Sequence, residues 1–299
     1  MTIGVLGLFR PKTLLLRAPW VRAGAERFAP SGEVALSAGD GLVRLGGIRT
    51  GVVTAGGDVT ISVPEKLKRT YRGVTCAVRN RGGELLVMIE IDTEQAVASV
   101  VAAEMPGAPL EARKAQAVAA RTYYTALAPR HEEFDFCDTT HCQLLQDPPT
   151  RDDAAAATQG LVLKHHHHLF GAMYFRSCAG RTKTAAQVGL NPAPYPYFAV
   201  ECPACAASPH RWRANVTKDE AARLSSESAR LALARKYGWN TIASNSFSAV
   251  PEGDGVLLSG EGHGHGLGLC QRGAIHLARA GYGFRAILSH YYPETALGG

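Results

Sequence analysis

The feature that most constrains this chain is the stretch Asp92–Leu127, DTEQAVASVVAAEMPGAPLEARKAQAVAARTYYTAL, which the residue pattern reads as two helices interrupted at Met105-Pro106-Gly107. Asp92 is a helix-capping residue with Gln95 three positions on, and Val97, Val100, Val101 and Glu104 then recur at i, i+3, i+4 and i+7. A single carboxylate, Glu104, therefore sits at the end of an apolar stripe and at the negative end of the helix dipole. Both surroundings disfavour its charge and make it a candidate general acid. The same periodicity also accommodates a Glu104 that turns to solvent or pairs with an arginine of the second helix. Pro109 suits the first position of that helix, which extends to about Leu127 with Ala115, Val118, Ala119, Thr122 and Ala126 on its inward face.

The first 75 residues carry short apolar runs (Ile3–Phe9, Leu14–Leu16, Val34–Leu36, Leu42–Leu45, Val52–Val53, Val59–Val63) punctuated by glycine and proline, the mark of strands. Val74–Val78, a turn at Asn80–Gly83 and Leu85–Ile91 form a hairpin that leads into the first helix. The expected fold is thus α+β: a strand-rich body with a central helical pair carrying Glu104, and an active site in a cleft. The expected division is a strand-rich region over 1–70 and a second domain over 71–299, with one continuous body as the alternative. With 46% apolar residues the chain has material for a full core. Its net charge of +6 comes from dispersed basic residues without a nucleic-acid motif, which argues against a nucleic-acid partner. No apolar stretch reaches the length of a membrane span, and MTIGVLGLFRPKTLLLRAPW, broken by Arg10-Pro11-Lys12, is a poor signal peptide.

Seven cysteines, an odd number, argue against complete disulfide pairing. His131, Cys137, His141 and Cys142 crowd into a dozen residues, a density that suits a tetrahedral zinc site. Adjacent His141 and Cys142 can share one ion only across a sharply turned backbone. Cys202-x-x-Cys205, followed by His210, and the isolated Cys178 either complete that site or make another. The alternatives are a Cys137–Cys142 disulfide, a Cys202–Cys205 redox pair, or inert buried thiols. His165–His168 reads as the tip of a hairpin with some capacity for adventitious metal. The loop Asn191–Pro203 offers tyrosines as stacking platforms for a ligand, and Thr217-Lys218-Asp219-Glu220 caps a helix reaching Tyr237. In GEGHGHGLGLCQRGA, glycines alternate from Gly260 to Gly268 before a helix spanning about Leu269–Gly281. Without a Gly-Lys-[Ser/Thr] ending this is no phosphate loop; the glycines allow close approach of a ligand or another segment. Phe284–Tyr292 is a last short helix.

The run AAEMPGAPLEARKAQAVAARTYY resembles the core motif of the stage II sporulation protein D (SpoIID)/LytB family, an E-M-P turn followed by an A-x-K-A-Q-A-x-A-A-R-[ST]-Y helix. CDTTHCQ (137–143), YFRSCAGRT (174–182), CPACAASPHRW (202–212), GHGHGLGLCQRGA (262–274) and ILSHYYPET (287–295) follow in family order, so the resemblance extends from about Tyr71 to Thr295. Ala179 departs from it, replacing the first of two glycines. The resemblance implies a peptidoglycan lytic transglycosylase acting on glycan strands stripped of stem peptides, with Glu104 as sole acid and base and 1,6-anhydro-N-acetylmuramic acid as product. It implies substrate contacts from Arg121, Tyr123, Ser177, Gly180, His265 and Gln271, a structural zinc on the first cluster, and a place in the cell envelope. The alternatives are a hydrolytic muramidase pairing Glu104 with Asp138 or Glu261, and a non-catalytic glycan-binding enhancer of a cell-wall amidase, as in the LytB branch.

Overall fold

The computed structural model describes residues 1–147, 152–193, 195–224, 226–238 and 240–299, and the chain divides into two compact units. The first comprises Met1–Pro106 and Leu127–Gln159; the second comprises Gly107–Ala126 and Gly160–Gly299.

The first unit is built on one sheet. Its strands are β1 (Thr2–Val5), β2 (Thr13–Arg17), β3 (Trp20–Ala23), β4 (Glu26–Phe28), β5 (Val34–Gly39), β6 (Leu42–Leu45), β7 (Ile48–Thr50), β8 (Val52–Val63), β9 (Leu67–Arg81) and β10 (Glu84–Glu90). The long β8 and β9 pair antiparallel along nearly their whole length, with a bulge between Gly57 and Val59. That bulge divides the free edge of β8: residues before it pair with β3, and residues after it pair with β2. Gly57 lies at φ +92, and a Cβ there would press on Pro19 at 2.8 Å, so the bulge needs glycine. β9 returns through Gly82-Gly83 into β10, as the turn chemistry predicted. The expected boundary at residue 70, however, falls inside β9. A ladder continuous from Leu67 to Arg81 joins the N-terminal strands to the hairpin, and no linker separates them.

β10 delivers the chain to α1 (Thr93–Glu104), whose N-terminus is capped by the Asp92 carboxylate accepting from the Glu94 and Gln95 amides. Gln95 does not close a capping box; its side-chain Nε2 donates to the Arg72 carbonyl at 2.6 Å. After the break comes α2 (Leu110–Ala126), which belongs to the second unit. The helical pair anticipated as one central element is therefore shared between the two units. The first unit is completed by β11 (Phe136–Cys137), parallel to β1, and α3 (Asp153–Ala157), which packs on α1.

The second unit gathers around α2, buried at every residue from 115 to 124. Of the predicted stripe, Ala115, Val118, Ala119 and Thr122 are inward and Ala126 is only half-buried, while Gln116, Ala117, Ala120 and Arg121 are buried as well. Small side chains let neighbours close on more than one side. Those neighbours include β12 (Val162–His165), which returns through His166 and His167, both at positive φ, to β13 (His168–Leu169). β14 (Tyr174–Phe175), α4 (Pro203–Ala207) and β15 (Arg211–Thr217) follow.

The capping box at Thr217 and Glu220 forms as expected, yet the helix it opens, α5 (Lys218–Arg223), stops at Leu224. Ser226 caps a second helix, α6 (Glu227–Tyr237), by accepting from the Ala229 amide; residue 225 lies outside the described residues. A serine-rich stretch competes for backbone donors and divides the predicted single helix. β16 (Phe247–Glu252) and β17 (Gly255–Glu261) pair as a hairpin, with β15 on the other edge of β17. β18 (Leu269–Cys270), α7 (Gln271–Arg279), α8 (Phe284–Tyr291) and β19 (Thr295–Gly298) end the chain, β19 pairing with β12. The sequence reading extended the α7 helix back to Leu269 and missed β19 altogether. No helix among the described residues is long and apolar enough to cross a membrane.

Candidate functional site

Glu104 is the last residue of α1, and Met105 ends the helix by donating to the Val101 carbonyl. Val97, Val100 and Val101 are fully buried, and Glu104 itself is half-buried. The helix thus brings the carboxylate out of the apolar stripe to the start of the Met105-Pro106-Gly107 turn. In the same last turn of α1, Ala102 and Ala103 line a cavity of about 350 Å³ together with Lys68, Arg69, Gln146 and Asp147. Burial pushes the Asp147 carboxyl up. None of these polar residues carries a motif, so the sequence offered no route to them; β9 and the segment after the cysteine-rich turn supply them.

Asp138, the nearest acid with a motif, has a different role. It is 5% exposed, accepts from the Leu6 amide at 3.0 Å and forms an ion pair with Arg69 at 2.8 Å. Burial raises its pKa, opposed by these donors. Glu261 lies in the second unit on β17, paired with Arg211 at 3.2 Å.

The residues expected to contact substrate all lie in the second unit. Arg121 is 2% exposed and donates to the Leu161 carbonyl at 3.1 Å. Tyr123 is buried edge-on to Tyr124. Ser177 pairs its backbone with His263, and Gly180, at φ +95, accepts from the Cys202 amide at 2.8 Å. His265 takes the Leu267 amide on Nδ1 and donates from Nε2 to the Tyr174 carbonyl, both at 3.0 Å. That fixes one neutral tautomer, and burial pushes its pKa down. His265 therefore shapes the glycine-rich loop with both nitrogens. Gln271 donates to buried Gln116 at 3.3 Å, joining the start of α7 to α2.

The alternating glycines of the loop lie at positive φ from Gly262 to Gly268. Side chains there would strike Ser177, Phe175, Lys183 or Met173, so the close approach they permit is to the segment 173–183. Tyr195 and Tyr197, expected as stacking platforms, are buried instead against Phe170, with their hydroxyls on the Pro293 and Gly171 carbonyls; Pro194 of that loop lies outside the described residues. A ring that is mostly apolar is more stable inside once its hydroxyl has a partner.

Ligand atoms of His131, Cys137, His141 and Cys142 all lie within 4.8 Å of one another, in the first unit. Cys142 Sγ is 3.5 Å from His131 Nε2 and from His141 Nδ1; Cys137 Sγ is 3.7 Å from His141 Nδ1. The sharp turn that neighbouring ligands require is present: the Cys142 amide donates to the Thr139 carbonyl, and the His141 amide to Thr139 Oγ1. A hydrogen bond from Cys142, helped by Thr139, draws the Cys137 thiol down to about 3. Two imidazoles and two thiols at these spacings fit a tetrahedral zinc.

Cys178, Cys202 and Cys205 do not complete that group. They lie in the second unit with Cys270, which the sequence reading left out, and His210 is not among them. No disulfide joins any of the seven cysteines. His165, His166 and Glu294 form a third, more exposed group at the β12–β13 turn.

Residues 81–165 match the family model SpoIID, described as stage II sporulation protein. The match covers Glu104, Arg121 and the first cluster but not the blocks after residue 165. An uncharacterized protein of Brachyspira hyodysenteriae is 28% identical over 247 residues, covering 70% of this chain and 67% of that protein.

Proposed function

We propose, from the match of residues 81–165 to the stage II sporulation protein model, that this chain is a lytic transglycosylase of the cell envelope that cleaves peptidoglycan glycan strands. The observation that carries this reading is the position of Glu104: a half-buried carboxylate ending an otherwise buried helical stripe at the E-M-P turn.

One carboxylate suffices for the reaction. As an acid, Glu104 gives its proton to the oxygen linking N-acetylmuramic acid to N-acetylglucosamine as the C1–O bond breaks. As the resulting carboxylate, it takes the proton of the C6 hydroxyl while that oxygen closes on C1, leaving a 1,6-anhydro ring and restoring the acid. A muramidase needs a second carboxylate. Asp138 is unsuited to it, being buried and held by Arg69 and Leu6, and Glu261 is paired with Arg211. His131, Cys137, His141 and Cys142 would hold a structural zinc, which supplies no step of the chemistry.

The test is Glu104→Gln on denuded glycan strands, with products weighed. Cleavage should fall at least about a hundredfold with folding and glycan binding kept, since the amide cannot donate and recover a proton. Wild-type products should be lighter by one water than hydrolysis products. A variant retaining a tenth of the rate, or products with reducing ends only, would overturn the assignment; glycan binding without turnover in the wild type would favour the amidase-enhancer reading.

A further inference from the structure

We propose that Cys178, Cys202, Cys205 and Cys270 form a second metal centre, a mononuclear tetrathiolate zinc site in the second unit. Their four sulfurs come from three separate parts of the chain: the turn after β14, the start of α4, and the junction of β18 with α7. All lie within 4.8 Å of one another, and each residue is at most 3% exposed.

The spacing discriminates between the chemistries available to four thiols. A disulfide places its sulfurs about 2.05 Å apart, whereas Cys205 and Cys270 are 3.6 Å apart. A tetrahedron with zinc–sulfur bonds of about 2.3 Å has sulfur–sulfur edges of roughly 3.8 Å, which lies between that separation and the 4.8 Å limit. A cluster of several irons spreads its ligand sulfurs more widely.

The surroundings are those of thiolates. Cys270 Sγ accepts from the Cys178 and Gly273 amides, each at 3.4 Å, the second belonging to the first turn of α7. Tyr291 Oη lies 3.5 Å from Cys202 Sγ. Such donors orient sulfur ligands and offset the charge of a tetrathiolate, two negative charges once a divalent ion is bound. Gly273 has no room for a side chain: its Cβ would meet the Tyr291 hydroxyl and come within 2.6 Å of Cys202 Sγ. Binding exchanges four S–H bonds for four Zn–S bonds and releases four protons to solvent.

The centre ties together the segments that carry Ser177, Gly180 and Gln271, each within two residues of a ligand. On the transglycosylase reading, on which this consequence rests, those residues face glycan and the ion would set their positions.

Elemental analysis of the full chain, purified without added metal, tests the centre independently of activity. The Cys137→Ser/Cys142→Ser variant should keep about one zinc per chain, and Cys205→Ser should hold one fewer than wild type. Because either variant could fail to fold, the stripped wild-type protein is also reloaded with cobalt. A tetrathiolate spectrum, with more intense sulfur-to-cobalt charge transfer than two thiolates give, is expected. An unchanged zinc content in Cys205→Ser, iron in place of zinc, disulfides among these four cysteines, or a cobalt spectrum with no tetrathiolate component would each overturn the proposal.

Discussion

The two sulfur-bearing clusters differ in how the chain assembles them. The first spans residues 131–142 and is closed by a single turn at Thr139–Cys142, with His131, Cys137, His141 and Cys142 all partly reachable from solvent. The second draws on residues 178–270 and is buried throughout. A local cluster organises a loop; a dispersed one determines whether its unit holds together. Cross-linking stabilises more as the closed loop lengthens, by roughly 3 kcal/mol for about 15 residues and nearly 5 for about 100 in the chain-entropy picture.

The largest effect that could break this contrast is thermal. Cys270→Ser removes a buried ligand of the long-range cluster and should lower Tm by roughly 10 °C, corresponding to ~3–5 kcal/mol. Cys142→Ser should cost about a third of that. Equal losses in differential scanning calorimetry would show that the local cluster carries as much of the fold as the dispersed one.

A kinetic difference should follow from burial. Under native conditions with a chelator present, alkylation mapped by mass spectrometry should modify Cys137 and Cys142 at least about tenfold faster than Cys178, Cys202, Cys205 and Cys270, which must wait for local opening. Uniform labelling would contradict the buried geometry. The smallest effect concerns the turn itself. Thr139→Ala deletes the hydroxyl that receives the His141 amide and lies 3.3 Å from Cys137 Sγ. Zinc affinity at the first cluster should fall about tenfold, with stability changed by ~1 kcal/mol or less. A chelator competition that registers no change would remove Thr139 as support for the ligands.

The same contrast explains what could be read beforehand. His131, Cys137, His141 and Cys142 are neighbours in sequence, so composition alone brought them together. Cys270 carries no such local mark: its partners lie 65 or more residues away, and it sits inside a glycine-rich motif with His265 and Gln271. Periodicity located α1, the break after Glu104 and the hairpin of β9 and β10, since those elements bury one face each. It misjudged α2, whose alanines accept neighbours on several sides and so leave no polar face to mark. The N-terminal strands and the hairpin are continuous across residues 70 and 71, because a strand of 15 residues shows no sign of ending where its apolar run weakens. Tyr195 and Tyr197 looked like platforms because sequence records an aromatic ring but not which surface it meets.

The division of the chain between its units also sets an order of events during synthesis. β1 emerges first, yet its neighbour β11 and the Asp135 carboxylate that accepts from the Thr2 amide arrive some 130 residues later. α2 is made well before β12, α7 and α8, the elements that later bury it. Its burden while waiting is light: residues 115–120 are four alanines, a glutamine and a valine, the best helix former in quantity and little apolar bulk to expose. The alanine-rich composition that lets α2 be surrounded in the finished unit also lets it remain uncovered on a nascent chain, and bulky replacements such as Ala117→Leu would burden the protein twice, once by overpacking and once by making the unfinished chain adhesive.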